Sequence, residues 1–115
     1  MAVTRYDSNH RMSQCVVHSD TIYLAGQVAS GASVAEQTQN ILNTIDSLLA
    51  NAGSDKSQLL SATIWLTSMD NFVEMNEIWD NWVDKSNPPC RACVESPRLA
   101  TPEFLVEIMI IAAKS

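Results

Sequence analysis

Residues 104–113 read Phe104-Leu105-Val106-Glu107-Ile108-Met109-Ile110-Ile111-Ala112-Ala113, apolar at every position except one. An apolar run of this kind predicts a buried strand. Glu107 sits inside it, and a carboxylate placed there loses hydration and keeps its charge only where something hydrogen-bonds or pairs with it. The obvious cation is Arg91, in the neighbouring stretch Pro88-Pro89-Cys90-Arg91-Ala92-Cys93-Val94-Glu95. An Arg and a Glu in two short, half-buried strands predict a small polar pocket in an apolar wall, sized for a small carboxylate and a water. A buried structural ion pair would look the same in sequence, and such a pair is weak evidence for stability. Both readings stand at this level.

Outward from that run, the chain divides cleanly. Residues 3–7 suit a short edge strand, and 12–17 and 21–28 form a hairpin around His18-Ser19-Asp20. A loop of small residues, 29–32, precedes a helix over 33–51. Its apolar stripe is Ile41, Leu42, Ile45, Leu48 and Leu49, and Gly53 stands where a left-handed residue ends a helix. After a polar turn, residues 59–66 alternate as a strand with Leu60, Ala62, Ile64 and Leu66 on the buried face. A second helix, capped by Asp70 and reaching residue 83, carries the stripe Phe72, Met75, Ile78, Trp79 and Trp82. Asn87-Pro88-Pro89 stops it, and two strands follow, split by residues 96–103.

The expected architecture is α+β: one domain over 1–115, with a single sheet of about six strands and element order β-β-β-α-β-α-β-β. Each helix has one apolar stripe to bury, so both are expected on one face of the sheet. The other face also carries apolar residues. Other subunits are expected to bury it, in a closed ring of sheets with the ligand site between protomers. The last two strands are expected to be antiparallel neighbours, and a register that brings Arg91 near Glu107 is then available.

Bulk composition narrows the function. The 115 residues are 46% hydrophobic and 17% charged, with a formal net charge of −6. Surplus apolar surface on a small domain favours self-association. No cluster of Lys and Arg exists to bind nucleic acid or an anionic membrane. No apolar stretch approaches the roughly 20 residues of a bilayer span, and the amino terminus lacks the apolar core of a signal peptide, so a cytoplasmic location is expected. Cys15, Cys90 and Cys93 fit a reducing compartment. Cys90 and Cys93 lie three apart on an expected strand and so face opposite ways, which argues against a redox or metal pair. His10 and His18 read as surface or turn residues, and no metal site is expected.

On residues 89–95, Arg91, Cys93 and Glu95 share a face; on 104–113, Leu105, Glu107 and Met109 do. Arg91 offers a rigid, permanently charged fork for bidentate capture of a carboxylate. Glu107 could orient or activate a water beside it. Cys93 would line the pocket, and with no His in its stretch to lower its pKa it is not read as a nucleophile. Asn76 reads as a surface or interface residue, and Glu95 and Arg98 as solvated pairings at the strand end.

Gly26-Gln27-Val28 after an apolar strand, Asn76 in the second helix, Arg91-Ala92-Cys93-Val94-Glu95 and Leu105-Val106-Glu107-Ile108 together resemble the reactive intermediate deaminases, the RidA or YjgF-like family. The resemblance covers nearly the whole chain. It implies a chorismate-mutase-like fold, a homotrimer and ligand clefts between subunits. It also implies cofactor-free hydrolysis of reactive enamines and imines, such as 2-aminoacrylate, to 2-keto acids and ammonia. Arg91 matches the family's substrate-carboxylate arginine, Glu107 the glutamate holding the hydrolytic water, Cys93 the cysteine lining the cleft, and Gly26 the strand bordering it. The sequence departs from the best-studied deaminases at Met12, where they carry Tyr, and at Ala25, where they carry Ser. A divergent branch with a bulkier or more apolar substrate is expected. A non-catalytic module that binds small carboxylates or regulates a partner is the alternative. An RNA-directed activity, a label the family has sometimes carried, is disfavoured by the acidic balance.

Overall fold

The computed structural model describes residues 2–115. Its strands are β1 (Val3–Ser8), β2 (Ser13–His18), β3 (Thr21–Leu24), β4 (Leu59–Leu66), β5 (Cys90–Glu95) and β6 (Val106–Ala113). Its helices are α1 (Val34–Asn51) and α2 (Phe72–Trp82). The expected element order is the observed one, and the six strands form a single sheet ordered β1-β2-β3-β6-β4-β5. The molecule measures 43 × 37 × 20 Å, the thickness of one sheet backed by one layer of helices.

Local chemistry sets each boundary. Ser33 starts α1 by accepting the Glu36 amide on its side chain at 3.1 Å, the bond expected of an N-cap. Gly53, at φ 83°, follows the helix end as expected. Ile41, Leu42, Ile45 and Leu49 are fully buried, and Leu48 packs at the edge of the same cluster. The second helix begins differently from the sequence reading. Asp70 caps nothing; Ser68 accepts the Asp70 amide and opens a short 3₁₀ turn, Met69–Asn71, that leads into α2. Glu95, read as a solvated strand-end group, accepts the Met69 amide at 3.0 Å and ties this turn to β5.

The sheet has one buried and one open face. Along β6, Val106, Ile108, Ile110 and Ala112 are completely buried, while Glu107, Met109, Ile111 and Ala113 alternate with them at the half-buried surface. On β4, Leu60 departs from its expected place in the buried set. The β4–β6 register shifts between Leu59 and Ser61, and this irregularity leaves Leu60 47% exposed while Leu59 is buried. The open face carries Val16, Tyr23, Trp65, Val94 and Ile111, half-buried or exposed in one chain. Among the described residues no helix is long and apolar enough to cross a membrane.

One expected pairing is overturned. β5 and β6 are not neighbours: β4 lies between them, parallel to β5 and antiparallel to β6. The chain runs from β4 through α2 to β5, and a helical crossover of this kind joins parallel strands. β6 then returns on the far side of β4, inserted between β3 and β4.

Candidate functional site

Residues that face one another across strands share a side of the sheet. Arg91 lies opposite Ala62 and Cys93 opposite Ile64, both buried against the helices, so Arg91 and Cys93 point to the helix side. Glu107 lies opposite Trp65, on the open side. Within one chain the two charged groups therefore sit on opposite faces. They are two strand spacings apart, about 10 Å across the sheet, and a further ~10 Å along it. Arg91 and Glu107 therefore do not share a pocket within one chain. Each group instead has a surround of its own.

Arg91, exposed on the edge strand, is held from the helix side. Its Nη1 donates to Asn76 Oδ1 at 2.7 Å, and its guanidinium lies 5.5 Å from the Trp79 ring centre and 5.9 Å from that of Phe72. Phe72, Asn76 and Trp79 stand at i, i+4 and i+7 on α2, one stripe facing β5. The aromatic shelf favours the cation and fixes its plane, while Asn76 occupies one donor and leaves the others for a ligand. The sequence reading placed Asn76 at a surface or interface. Its membership of the Phe72–Trp79 stripe was the available sign that it would meet Arg91. Cys93, beside Arg91, has its thiol pushed up, by burial first and against the opposing pull of Arg91, so it stays protonated. It lines a wall and is a poor nucleophile.

Glu107 is held from the loop side. After β3 the chain leaves the sheet and rejoins it at Gln27, which exchanges two backbone bonds with Ile108 at 2.8 and 3.1 Å. Gly26 is thereby laid against Glu107, and a Cβ on Gly26 would collide with Oε2 of that carboxylate. Burial raises the Glu107 pKa above the ordinary glutamate value, and among the described residues no charged neighbour adds to or opposes the shift. A carboxyl poised upward in this way suits a base that handles protons nearer neutrality. Gln14 accepts a bond from Gln27 Nε2 at 2.8 Å, continuing the polar rim. Met12, one of the two departures from the resembled deaminases, is 40% exposed. Among the described residues no cluster of three or more His, Cys, Asp or Glu could hold a metal ion.

Comparison with known proteins agrees with this architecture. Residues 3–114 match the family model described as Endoribonuclease L-PSP. A RutC family protein of Haemophilus ducreyi is 43% identical over 113 residues, covering 96% of each chain. The RutC family protein YoaB of Escherichia coli is 40% identical over 114 residues, covering 98% of this chain and 99% of its own. The crystal structure of a YjgF family member from Neisseria meningitidis superposes with a TM-score of 0.97 at 44% identity, covering 100% of this chain and 97% of that one. With the model spanning almost every residue, and with relatives above 40% identity matched end to end, this chain belongs to the endoribonuclease L-PSP family, the group also named YjgF, RidA and RutC.

Proposed function

We propose that the protein hydrolyses reactive enamines and imines of the 2-aminoacrylate type to 2-keto acids and ammonia, in clefts shared between subunits of a homotrimer. The observation that carries this reading is the division of the two groups between the two faces. Arg91 has donors left over and stands at a free sheet edge. Glu107 is a partly buried acid on the open face, and among the described residues no charged group shifts its pKa. A guanidinium for the substrate carboxylate and a base for water are complementary halves that one chain keeps apart and two chains can join. The open face, with Val16, Tyr23, Trp65, Val94 and Ile111, supplies apolar surface for that association.

In this mechanism the Arg91 of one subunit holds the substrate carboxylate, and Cys93 walls the pocket beside it. The Glu107 carboxylate of the neighbouring subunit takes a proton from water as the water oxygen bonds to the imine carbon. Glu107 passes that proton to the former imine nitrogen, giving the carbinolamine, which then expels ammonia as the hydroxyl proton moves to the leaving nitrogen and the oxygen becomes the ketone. Imines hydrolyse unaided in water, so orientation suffices, and it can contribute about 7–11 kcal/mol in favourable cases.

The test is incubation with 2-aminoacrylate generated in place, followed by 2-keto acid and ammonia. Release faster than the uncatalysed rate supports the reading, and an unchanged rate discards it. Met12 and Ala25, where the resembled deaminases carry Tyr and Ser, favour a second reading in which the same cleft binds a small carboxylate without turnover. Saturable pyruvate or 2-ketobutyrate binding with no imine hydrolysis would select it. RNA cleavage, named in the family model's description, is not favoured: a chain of net charge −6 without a basic cluster has little to offer a phosphate backbone.

A further inference from the structure

Gln37 lies near the start of α1, only 2% exposed, at a point where the helix buries its stripe against the core. Both protons of its Nε2 are engaged, donating to Gly31 O at 3.1 Å and to Glu103 O at 2.9 Å. Its Oε1 accepts the Leu105 amide at 2.9 Å. A leucine of similar size would leave the Gly31 and Glu103 carbonyls and the Leu105 amide without these partners, so the amide ties three backbone groups together as well as filling core space.

The groups it holds belong to the two stretches that flank Glu107. Leu105 leads into β6 two residues before Glu107. The other stretch runs from Gly26, against which the Glu107 carboxylate rests, through Gln27, paired with Ile108, to Gly31. Gly31 is pressed directly on Gln37: a Cβ there would stand 2.9 Å from Gln37 N and 3.0 Å from its Cγ. A second link joins the same stretches, since Ser30 Oγ donates to Glu103 Oε2 at 3.3 Å and Asn40 Nδ2 holds Ser30 O at 3.0 Å. The groups next to Glu107, Trp65 on β4 and the Gly26-Gln27 segment, carry no charge of their own.

We propose that Gln37 is the positioning residue for Glu107, a buried amide that sets the gap between segments 26–31 and 103–105 and with it the place of the carboxylate. Gln37 touches no substrate; it acts through the two backbones that hold Glu107. The role rests on the imine-hydrolase reading for its meaning, though not for its test.

Gln37→Met keeps the volume and removes all three bonds. Gln37→Glu keeps the acceptor for Leu105 and loses both donations. Gly31→Ala presses on the same joint from the loop side. Three readouts apply to the full chain: thermal unfolding, kcat and KM with 2-aminoacrylate generated in place, and NMR titration of the Glu107 side-chain carboxyl, which needs no turnover. In folded Gln37→Met, kcat falls on the order of ten- to a hundredfold, the cost of misplacing a reacting group by about an ångström. KM stays within about twofold because Arg91 is untouched. The Glu107 titration moves down toward the ordinary glutamate value as the loosened joint admits water. Gly31→Ala shifts both readouts the same way, and the double variant is no worse than the more severe single one. A folded variant with native kcat and native Glu107 titration overturns the proposal. If Gln37→Met does not fold, Gln37→Glu and Gly31→Ala decide by the same readouts. Absence of imine hydrolysis in the unmodified protein would count against the functional reading alone, and the NMR arm would still decide the link from Gln37 to Glu107.

Discussion

The Glu107 carboxylate rests on the bare Cα of Gly26, in space that any side chain at position 26 would fill. Gly26 is delivered there because Gln27 rejoins the sheet through its two backbone bonds with Ile108, the residue after Glu107. Loop and acid are thus built as one unit. Gly26→Ala is expected to displace the carboxylate and leave the core intact. Turnover should fall about ten- to a hundredfold with little change in melting temperature. Parallel kinetics and thermal scans check it, and native turnover in the variant would show that Glu107 does not act from this position.

In the proposed mechanism Glu107 sets the pH behaviour. A hydrolytic base must be ionised, and burial raises this acid's pKa. The acid limb of kcat is therefore expected above the ordinary glutamate range, and Glu107→Gln should remove activity across the profile. Stability carries the opposite sign. A carboxyl whose folded pKa is raised favours folding while it is protonated and loses that contribution as pH rises from its unfolded pKa through its folded one. Glu107→Gln is thus expected to raise the melting temperature relative to the native chain at neutral pH. The gain should vanish below the ordinary glutamate pKa.

Arg91→Ala removes the charge-assisted contact proposed for the substrate carboxylate. Bonds of that kind contribute about 1.5–3 kcal/mol, so kcat/KM is expected to fall by at least tenfold, with the assembly unchanged by sedimentation. Co-assembly gives a sharper check. Arg91→Ala and Glu107→Gln chains should each be strongly impaired alone and recover part of the activity when unfolded and refolded together, because some mixed clefts pair an intact Arg91 with an intact Glu107. No recovery in verified mixed assemblies would mean that the two groups do not meet across subunits.

Asn76 anchors the guanidinium that Phe72 and Trp79 support. Asn76→Ala forfeits one hydrogen bond, about 0.5–1.5 kcal/mol. KM is expected to rise roughly two- to tenfold while kcat changes less, since Glu107 is on the other face. Steady-state kinetics separate this from the Gly26 and Glu107 variants, which lower kcat.

The α1 stripe sets stability. Leu42 is completely buried in the main cluster, and Leu42→Ala should cost about 2–5 kcal/mol, depending on how far the site collapses. Loss of the Ser33 cap in Ser33→Ala should cost about 1 kcal/mol. Chemical denaturation of both variants checks the order, the core substitution being the more severe.

Much of this protein was legible in the chain alone, because periodicity is a local property. The α1 and α2 stripes, the alternation within β4 from Ala62 onward, the buried run around Glu107 and the sharing of a face by Arg91 and Cys93 all follow from spacings of 3.6 and 2. So does the element order. Spacing along a strand says which way a side chain points relative to its own neighbours, and says nothing about which strand lies alongside. Tertiary structure decided that β4 separates β5 from β6, and this placed Arg91 and Glu107 on opposite faces. The strand–helix–strand passage from β4 to β5 carried the clue, since a helical crossover makes parallel neighbours. Asn76 and Gln37 acquired their contacts in the same way: each is an ordinary helical amide in sequence, and only packing brought one to a guanidinium and the other to two backbones 66 and 68 residues further along the chain and one six residues before it.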